Sequence, residues 1–247
     1  FGTNAKAWDW CSVNNAGFEY YQNAKKDGIG LPPHNPRIWV FRHQSNASCA
    51  PMLRRVWHPI GYSSNSGWSN FFINITAGRL LTYTNTLLKF ALPDIVIGTG
   101  GGYNTYDIYE SVNHELSHAS HFNKVGSAFW AKYVNYIITY GKKYDHPYGD
   151  ASCNNSGFCG VGEMWGYAMG YIRTYEKYQQ KPKNGQSKWF QPNLLYDLMT
   201  EKILTKKQIF DCLSSDVTSH ALLKQKMISR YPSKKDSIIA KFSRYGF

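Results

Sequence analysis

The clearest hydrophobic pattern in the chain lies between residues 105 and 126. Its apolar side chains recur at intervals of three and four residues: Tyr106, Ile108, Tyr109, Val112, Leu116, Ala119 and Phe122. This spacing places them along one face of an α-helix. Thr105 is suited to cap the first turn, and Gly126 follows the last periodic residue. The pattern therefore predicts one long helix.

A strand-like pattern comes just before this helix. Residues 94–98 form a short apolar run that ends in the glycine-rich residues 98–102. Such a run, bounded by glycine, predicts a strand followed by a loop. The glycines lack both the Lys-Ser/Thr ending of a phosphate-binding loop and the dinucleotide-binding pattern. We therefore expect a flexible turn there, without a phosphate site.

The two parts of the chain differ in pattern. Up to about residue 104 the sequence is rich in Asn, Ser, Gly, Pro and aromatic residues, with strand-like pieces at 37–41, 71–73 and 94–98. After residue 105 helical spacing dominates. We predict an α+β fold in which a small, twisted antiparallel or mixed sheet in the N-terminal part packs on a predominantly helical C-terminal part.

The length of the chain and its patterns also predict how it is divided. Its 247 residues, 43% of them hydrophobic, are enough to bury a sizeable core. We expect one catalytic domain over residues 1–190, sheet-rich at 1–104 and with active-site helices at 105–180. A helical C-terminal subdomain is expected over residues 191–247. No apolar run is long enough to span a membrane.

The predicted long helix carries the sequence His114-Glu115-Leu116-Ser117-His118 near its centre. Residues four apart share one face of a helix, so both imidazoles can bind a single Zn²⁺ ion. The glutamate beside the first histidine can then reach a water molecule on the metal and act as a general base. The spacing indicates a zinc hydrolase.

Two histidines and a water molecule leave a tetrahedral zinc ion one protein ligand short. Three glutamates follow in the chain, at Glu163, Glu176 and Glu201. Glu163 stands among the small and aromatic residues of a second predicted helix, whereas the other two lie among Arg, Lys and Gln. A buried carboxylate needs a metal or a strong hydrogen-bond partner, which makes Glu163 the preferred ligand. The alternative is an acid favoured by the dipole at a helix N-terminus.

Other residues are alternatives for the third ligand. His121 shares the stripe of His114 and His118, but it would have to reach back along the helix axis, which favours a packed or hydrogen-bonded histidine. Asp145 or Asp150, in a loop-like stretch, would give a zinc site with an aspartate ligand.

An HExxH motif on one helix with a glutamate on a later helix resembles the gluzincin-type zinc metallopeptidases. The resemblance covers residues 94–175, including an intervening helix at 127–140. It implies a zincin-like fold, zinc as the cofactor and a peptide or protein as the substrate. It also implies these roles: zinc ligation by His114, His118 and Glu163, and general-base catalysis by Glu115.

Two further consequences follow from this resemblance. The strand at residues 94–98 would be an edge strand that pairs with an extended peptide. The metzincin family is disfavoured, because His121 and Lys124 stand where that pattern needs a glycine and a third histidine.

Peptide hydrolysis also needs a donor for the negative charge that develops on the substrate oxygen. Tyr167 lies four residues after Glu163 and therefore on the same face of the helix, so it is the first candidate. His146 and Tyr148, in the preceding loop, come next.

Five cysteines bear on the cellular compartment. Cys153 and Cys159 bracket a short polar loop, and Cys11 and Cys49 flank another irregular region, so we predict two disulfides. Cys212 lies in an apolar helical context and is predicted to be a buried thiol. Disulfides favour a secreted or cell-envelope protein, with its leader absent from this chain. The alternative is five unpaired thiols in a cytosolic protein.

Positive charge is concentrated towards the C-terminus. Residues 181–247 contain thirteen Lys and Arg against five Asp and Glu, which accounts for +8 of the net charge of +12. This raises an alternative, a non-catalytic zincin-like or basic module that binds a glycan, glycopeptide, nucleic acid or anionic envelope partner. The lysines are scattered between apolar positions, which favours a solvated helix face.

The partners expected from these patterns are few. We expect a monomer that acts on a peptide or protein, glycosylated or not. Association with an envelope surface is compatible with the basic charge, and no nucleic acid is expected.

Overall fold

The computed structural model of the protein describes residues 5–42, 48–60, 93–100, 102–144, 148–182 and 188–247. The strand expected at 71–73 lies outside these residues, as do Asp145 and His146. Regular structure in the described residues is mostly helical, with nine α-helices and one sheet of two strands. None of the described helices is both long and apolar enough to cross a membrane.

In chain order the elements are α1 (Ala5–Asp27), β1 (Ile38–Phe41), α2 (Leu53–Ile60), β2 (Ile95–Gly98), α3 (Thr105–Val125), α4 (Ser127–Tyr144), α5 (Ser156–Tyr178), α6 (Asn193–Thr200), α7 (Lys206–Cys212), α8 (His220–Arg230), a 3₁₀ turn (Pro232–Lys234) and α9 (Lys235–Arg244). The helical character predicted after residue 105 is confirmed.

The expected N-terminal sheet is reduced to two short strands in the described residues. β1 and β2 pair in parallel, with Ile38 opposite Ile95 and Phe41 opposite Gly98. The chain between them includes α2, a connection long enough to return it in the same direction. The prediction was an antiparallel or mixed sheet, and its antiparallel alternative is wrong for β1 and β2.

Strand β2 also has backbone partners outside the sheet. Val96 and Cys49 exchange two backbone hydrogen bonds, of 2.8 and 3.0 Å, in an isolated antiparallel bridge. The amide of Met52 donates to the carbonyl oxygen of Asp94 at 3.0 Å. The prediction that β2 offers a free edge to an extended peptide is therefore wrong at these residues, because their backbone groups are already bonded.

The helix α1 was not predicted. Its buried apolar residues recur at three- and four-residue spacing: Val13, Ala16, Tyr20 and Ala24. The hydroxyls of Tyr20 and Ser120 lie 2.7 Å apart and join α1 to α3. The periodicity is hard to read because aromatic residues also occupy the outer face, where Trp10 is 59% exposed and Phe18 64%. Contrary to the expected sheet-rich part, the described residues before 104 contain more helix than strand.

The ends of α3 explain why the long helix begins and ends where it does. Asn104 is the N-cap: its side chain accepts from the amide of Asp107 at 3.1 Å, and the Asp107 carboxylate accepts from the amide of Asn104 at 3.1 Å. This capping box moves the predicted cap by one residue, from Thr105 to Asn104. Gly126 ends the helix with φ of 83°, a conformation that favours glycine.

Helix α3 packs more extensively on α5 than on any other described element. Glycines of α5 permit the close approach. A side-chain carbon at Gly170 would lie 3.1 Å from the backbone oxygen of Glu110 and 3.4 Å from Cβ of His114. From the neighbouring turn of α5, Trp165 donates through Nε1 to the carbonyl oxygen of Ser117 at 3.2 Å. The two helices are therefore fixed against each other along the motif.

The C-terminal helices share the hydrophobic core of the rest of the described chain. The rings of Trp165 on α5 and Phe210 on α7 lie 5.5 Å apart, for example. Helices continue through 191–247, as expected. The division at residue 190 into a catalytic domain and a subdomain stays a prediction.

None of the five cysteines, all of which are described, forms a disulfide. The two predicted disulfides, Cys153 with Cys159 and Cys11 with Cys49, are therefore wrong. Cys159 is buried in the first turn of α5, whereas Cys11 is exposed on α1 and Cys49 bridges to β2. Cys212 is a buried thiol, as predicted. The prediction of a secreted or cell-envelope protein is therefore not supported by disulfides, and it stays a prediction.

Candidate metal centre

Helix α3 brings His114 and His118 together on its buried face. Their Nε2 atoms lie 2.9 Å apart, as expected for residues one turn apart on a helix. Both residues are buried. Trp130 and Tyr133 of α4 pack against the His118 ring, with centroids 5.8 and 5.9 Å away. This packing restricts the orientation of the imidazole.

Glu163 reaches the two imidazoles from α5. Its Oε2 lies 3.6 Å from Nε2 of His114 and 3.6 Å from Nε2 of His118. Its Oε1 accepts a hydrogen bond from the hydroxyl of Tyr133. Oε2 has no hydrogen-bond partner in the described part of the chain. One carboxylate oxygen is thus anchored by Tyr133, and the other lies beside both imidazoles.

The two imidazoles and this carboxylate fit a zinc ion. Ligand atoms of a tetrahedral zinc with bonds of about 2.0–2.1 Å lie roughly 3.3–3.4 Å apart. The observed separations of 2.9 and 3.6 Å lie on either side of that value. A buried polar atom without a partner is costly, so the unsatisfied Oε2 of Glu163 also indicates a cation site.

Burial and neighbouring charges shift the pKa values of these side chains towards the forms that bind a cation. Burial, with a further contribution from His118, lowers the pKa of His114 to about 3. The neutral imidazole is the form that ligates a metal. Burial alone would raise the pKa of Glu163, but His118, His114 and the hydrogen bond from Tyr133 together lower it. At neutral pH the centre therefore presents a neutral His114 and an ionised Glu163.

Glu115 completes the buried group. Donor atoms of His114, Glu115 and His118 all lie within 4.8 Å of one another, and Oε1 of Glu115 lies 3.8 Å from Nε2 of His114. Burial, followed by the negative charge of Glu163, raises the pKa of Glu115 well above its usual value. A carboxyl group with a raised pKa is suited to accept and return a proton near neutral pH.

The alternative third ligands are placed differently. His121 is buried with its ring 5.8 Å from that of Trp130, and neither ring nitrogen has a hydrogen-bond partner among the described side chains and backbone. The Oδ1 of Asp150 accepts hydrogen bonds from the amide and hydroxyl of Ser152, at 2.7 and 2.5 Å. Asp145 lies outside the described residues.

Tyr167 lies beside the histidines. Its ring centroid is 4.3 Å from that of His114, and its hydroxyl is 2.7 Å from the hydroxyl of Tyr148. One hydroxyl proton serves this mutual bond, so the pair retains one proton that can be donated elsewhere. His146, the other predicted donor, lies outside the described residues. The structure thus joins Tyr167 and Tyr148, two separately predicted candidates, as a hydrogen-bonded pair.

Some residues of the centre were not identified from the sequence. Nothing in the sequence distinguishes Tyr133 among nineteen tyrosines, because its role depends on how α4 lies across α3 and α5. Gly166 could have been identified from the sequence. Glycines recur every four residues near Glu163, at Gly162, Gly166 and Gly170. A side-chain carbon at Gly166 would lie 2.7 Å from Cε1 and Nε2 of His118.

Comparisons of the chain with protein-family models, with curated proteins and with solved structures find no match. The centre itself contains a buried group of His114, Glu115 and His118 that fits an HExxH motif and could hold a metal ion.

Replacing Tyr133 with phenylalanine should weaken zinc binding. The change removes the hydrogen bond that anchors Oε1 of Glu163, and loss of such outer partners typically costs roughly 10–100-fold in metal affinity. Competition with a fluorescent zinc chelator would measure the effect. Tyr136→Phe is the matched control. It also removes one tyrosine hydroxyl, but this hydroxyl donates to the backbone carbonyl oxygens of Tyr148 and Asp150 and not to a proposed zinc ligand. Equal affinities in the two variants would contradict this role of Tyr133.

Adding a methyl group at Gly166 should also weaken zinc binding. The new carbon in Gly166→Ala would lie 2.7 Å from the His118 ring and force that imidazole to move. The control is Gly162→Ala, where the new carbon would be in ordinary contact, 3.6 Å from the Tyr133 ring. We expect a loss of roughly tenfold or more only in Gly166→Ala, measured by the same competition. An unaltered affinity in that variant would show that the His118 ring is not held against α5.

Proposed function

We propose that this protein is a zinc-dependent metallopeptidase that hydrolyses peptide bonds in peptide or protein substrates. The observation that carries the proposal is the position of Glu163 Oε2, 3.6 Å from both imidazoles of the HExxH motif. A second buried carboxylate, Glu115, lies beside them. Each of these two carboxylates has an oxygen without a hydrogen-bond partner in the described residues. Two such carboxylates beside two imidazoles are most simply accounted for by a bound cation.

In this proposal His114, His118 and Glu163 hold the zinc ion. When bound, zinc supplies a Lewis acid that polarises the scissile carbonyl group and lowers the pKa of a coordinated water. Three protein ligands leave one position open, which is typical of catalytic rather than structural zinc sites. Tyr133 orients Glu163 by its hydrogen bond to Oε1.

Glu115 carries the proton in the proposed reaction. It accepts a proton from the attacking water as the water oxygen bonds to the carbonyl carbon. When the carbon–nitrogen bond breaks, Glu115 returns the proton to the leaving amine. The high pKa that burial and Glu163 impose on Glu115 suits a group that must hold this proton between the two steps.

The hydroxyls of Tyr167 and Tyr148 supply the donor for the substrate oxygen in this mechanism. The pair keeps one proton beyond its mutual bond, and a proton donated in a site without water stabilises developing negative charge strongly. Both hydroxyls have a pKa raised well above its usual value, first by burial. They therefore remain protonated donors at neutral pH.

The setting of the activity is also a proposal. We propose a monomer, secreted or in the cell envelope, whose peptide or protein substrates can be glycosylated. The net charge of +12 supports contact with an anionic envelope surface.

A non-catalytic binding module is the alternative. In residues 181–247, four of the five acids pair with lysines or arginines of the same segment: Asp197, Glu201, Asp211 and Asp216. The basic residues of this segment are scattered between apolar positions, which favours a solvated surface over a dedicated binding surface. The metal centre therefore remains the better guide to function.

Replacing Glu115 with glutamine should abolish cleavage without releasing zinc. The amide cannot take the proton, and loss of a general base costs roughly 10²–10⁴-fold in rate. Zinc content would be measured by mass spectrometry on protein purified without added metal, and cleavage with casein and a peptide library. Glu110→Gln, on the same helix, is the control and should keep activity. Stoichiometric zinc with no cleavage by the wild-type protein would favour the binding module.

Replacing Glu163 with glutamine should weaken zinc binding as severely as His118→Ala does. Both changes remove a proposed ligand, so each loss should exceed the roughly 10–100-fold typical of outer partners. Asp150→Asn is the control and should bind zinc as the wild type does. Zinc binding that is lost in His118→Ala and retained in Glu163→Gln would remove Glu163 as the third ligand.

A further inference from the structure

Lys188 lies beside the metal centre on an aromatic surface. Its Nζ is 4.3 Å from the ring centroid of Tyr167 and 4.8 Å from that of Tyr148. The same Tyr167 ring lies 4.3 Å from the ring of His114. Tyr167 therefore contacts both the ammonium group and a proposed zinc ligand.

The Lys188 ammonium differs from those of two other partly buried lysines. Lys206 and Lys241 are each paired with carboxylates. Within the described residues, no carboxylate forms an ion pair with Lys188, and its close contacts are the faces of aromatic rings. Cation–π contacts hold an ammonium group in place but leave its N–H groups able to donate.

The charge of Lys188 acts on the centre. It contributes to the lowered pKa of His114, after burial and His118. Burial lowers the pKa of Lys188 itself, and Glu163 opposes this shift. The geometric link between the two groups is the Tyr167 ring, which contacts both the Lys188 ammonium and the His114 imidazole.

The balance of charge indicates what Lys188 binds. A bound zinc ion would add positive charge beside the carboxylates of Glu115 and Glu163, and Lys188 adds a positive charge that no carboxylate in the described residues pairs with. A half-buried ammonium gains most from a carboxylate, by a charge-assisted hydrogen bond. In a peptide substrate, the carboxylate that lies nearest to the scissile bond is a free C-terminus one residue beyond it.

We propose that Lys188 binds the substrate carboxylate next to the scissile bond, so that the protein prefers to remove a residue with a free C-terminal carboxylate. The proposal rests on the zinc peptidase function inferred above and names the substrate class of the same site. Lys188 acts here by binding substrate, while Glu115 transfers the proton.

The first test measures binding to zinc-loaded protein without cleavage. Succinate offers one carboxylate to the metal and one to Lys188, whereas propionate has a single carboxylate. Lys188→Met should weaken succinate binding by roughly tenfold or more, since a charge-assisted hydrogen bond is lost, and leave propionate binding unchanged. Lys188→Arg should restore most of the affinity. The matched control is Lys132→Met, because Lys132 also lies over a ring, that of Phe158. NMR titration would give the dissociation constants.

The second test compares matched peptides that end in a free carboxylate or in an amide. The wild type should show a lower KM for the peptide with a free carboxylate than for the amide. This difference in KM should disappear in Lys188→Met and persist in Lys188→Arg. Equal succinate affinity in wild type and Lys188→Met, or equal KM for the two peptides, would overturn the role of Lys188. Zinc content and dependence of cleavage on Glu115 report separately on the peptidase function.

Discussion

Burying a carboxylate away from water costs roughly several kcal/mol of desolvation free energy unless the protein or a metal replaces the lost hydration. Glu163 is buried with a hydrogen bond to Oε1 from Tyr133 and with Oε2 beside two imidazoles. A carboxylate so placed favours a positive charge in the same site. The composition of the centre fits this preference, because neutral imidazoles supply lone pairs but no charge.

Side chains of two helices meet at the candidate metal centre. His114 and His118 come from α3 and Glu163 from α5, so the helix axes must approach closely along the motif. Gly166 and Gly170 make this approach possible, since a side chain at either position would meet α3. The capping box at Asn104 and the glycine at 126 fix the length of α3 around the motif. The close packing of the two helix backbones therefore also determines where the candidate ligands lie.

The aromatic residues around the centre increase the strength of its electrostatics. Trp130 and Tyr133 pack on His118, and Tyr167 packs on His114. Rings that exclude water lower the local dielectric constant and strengthen every charge interaction within it. This accounts for the lowered pKa of His114 and the raised pKa of Glu115. It also explains why a lysine at the rim of this surface, Lys188, affects groups that it does not touch.

Local patterns in the sequence determined the helix at 105–126, its motif and the acid in apolar surroundings, because helical periodicity places His114 and His118 without any tertiary contact. The same patterns indicated Glu163. They do not contain its distance from the imidazoles, because this distance depends on how two helices pack. Local patterns failed for α1, whose aromatic residues occupy both faces, and for the cysteines, whose spacing suggested disulfides that the packing does not form.

Tyr133 and Lys188 became visible only in the tertiary structure. Each belongs to an abundant residue type, and each acquires a role from neighbours far away in the chain. The sequence by itself determined the chemistry available on α3. Tertiary structure decided which distant side chains lie around that centre, because these contacts depend on packing between elements and not on spacing within one.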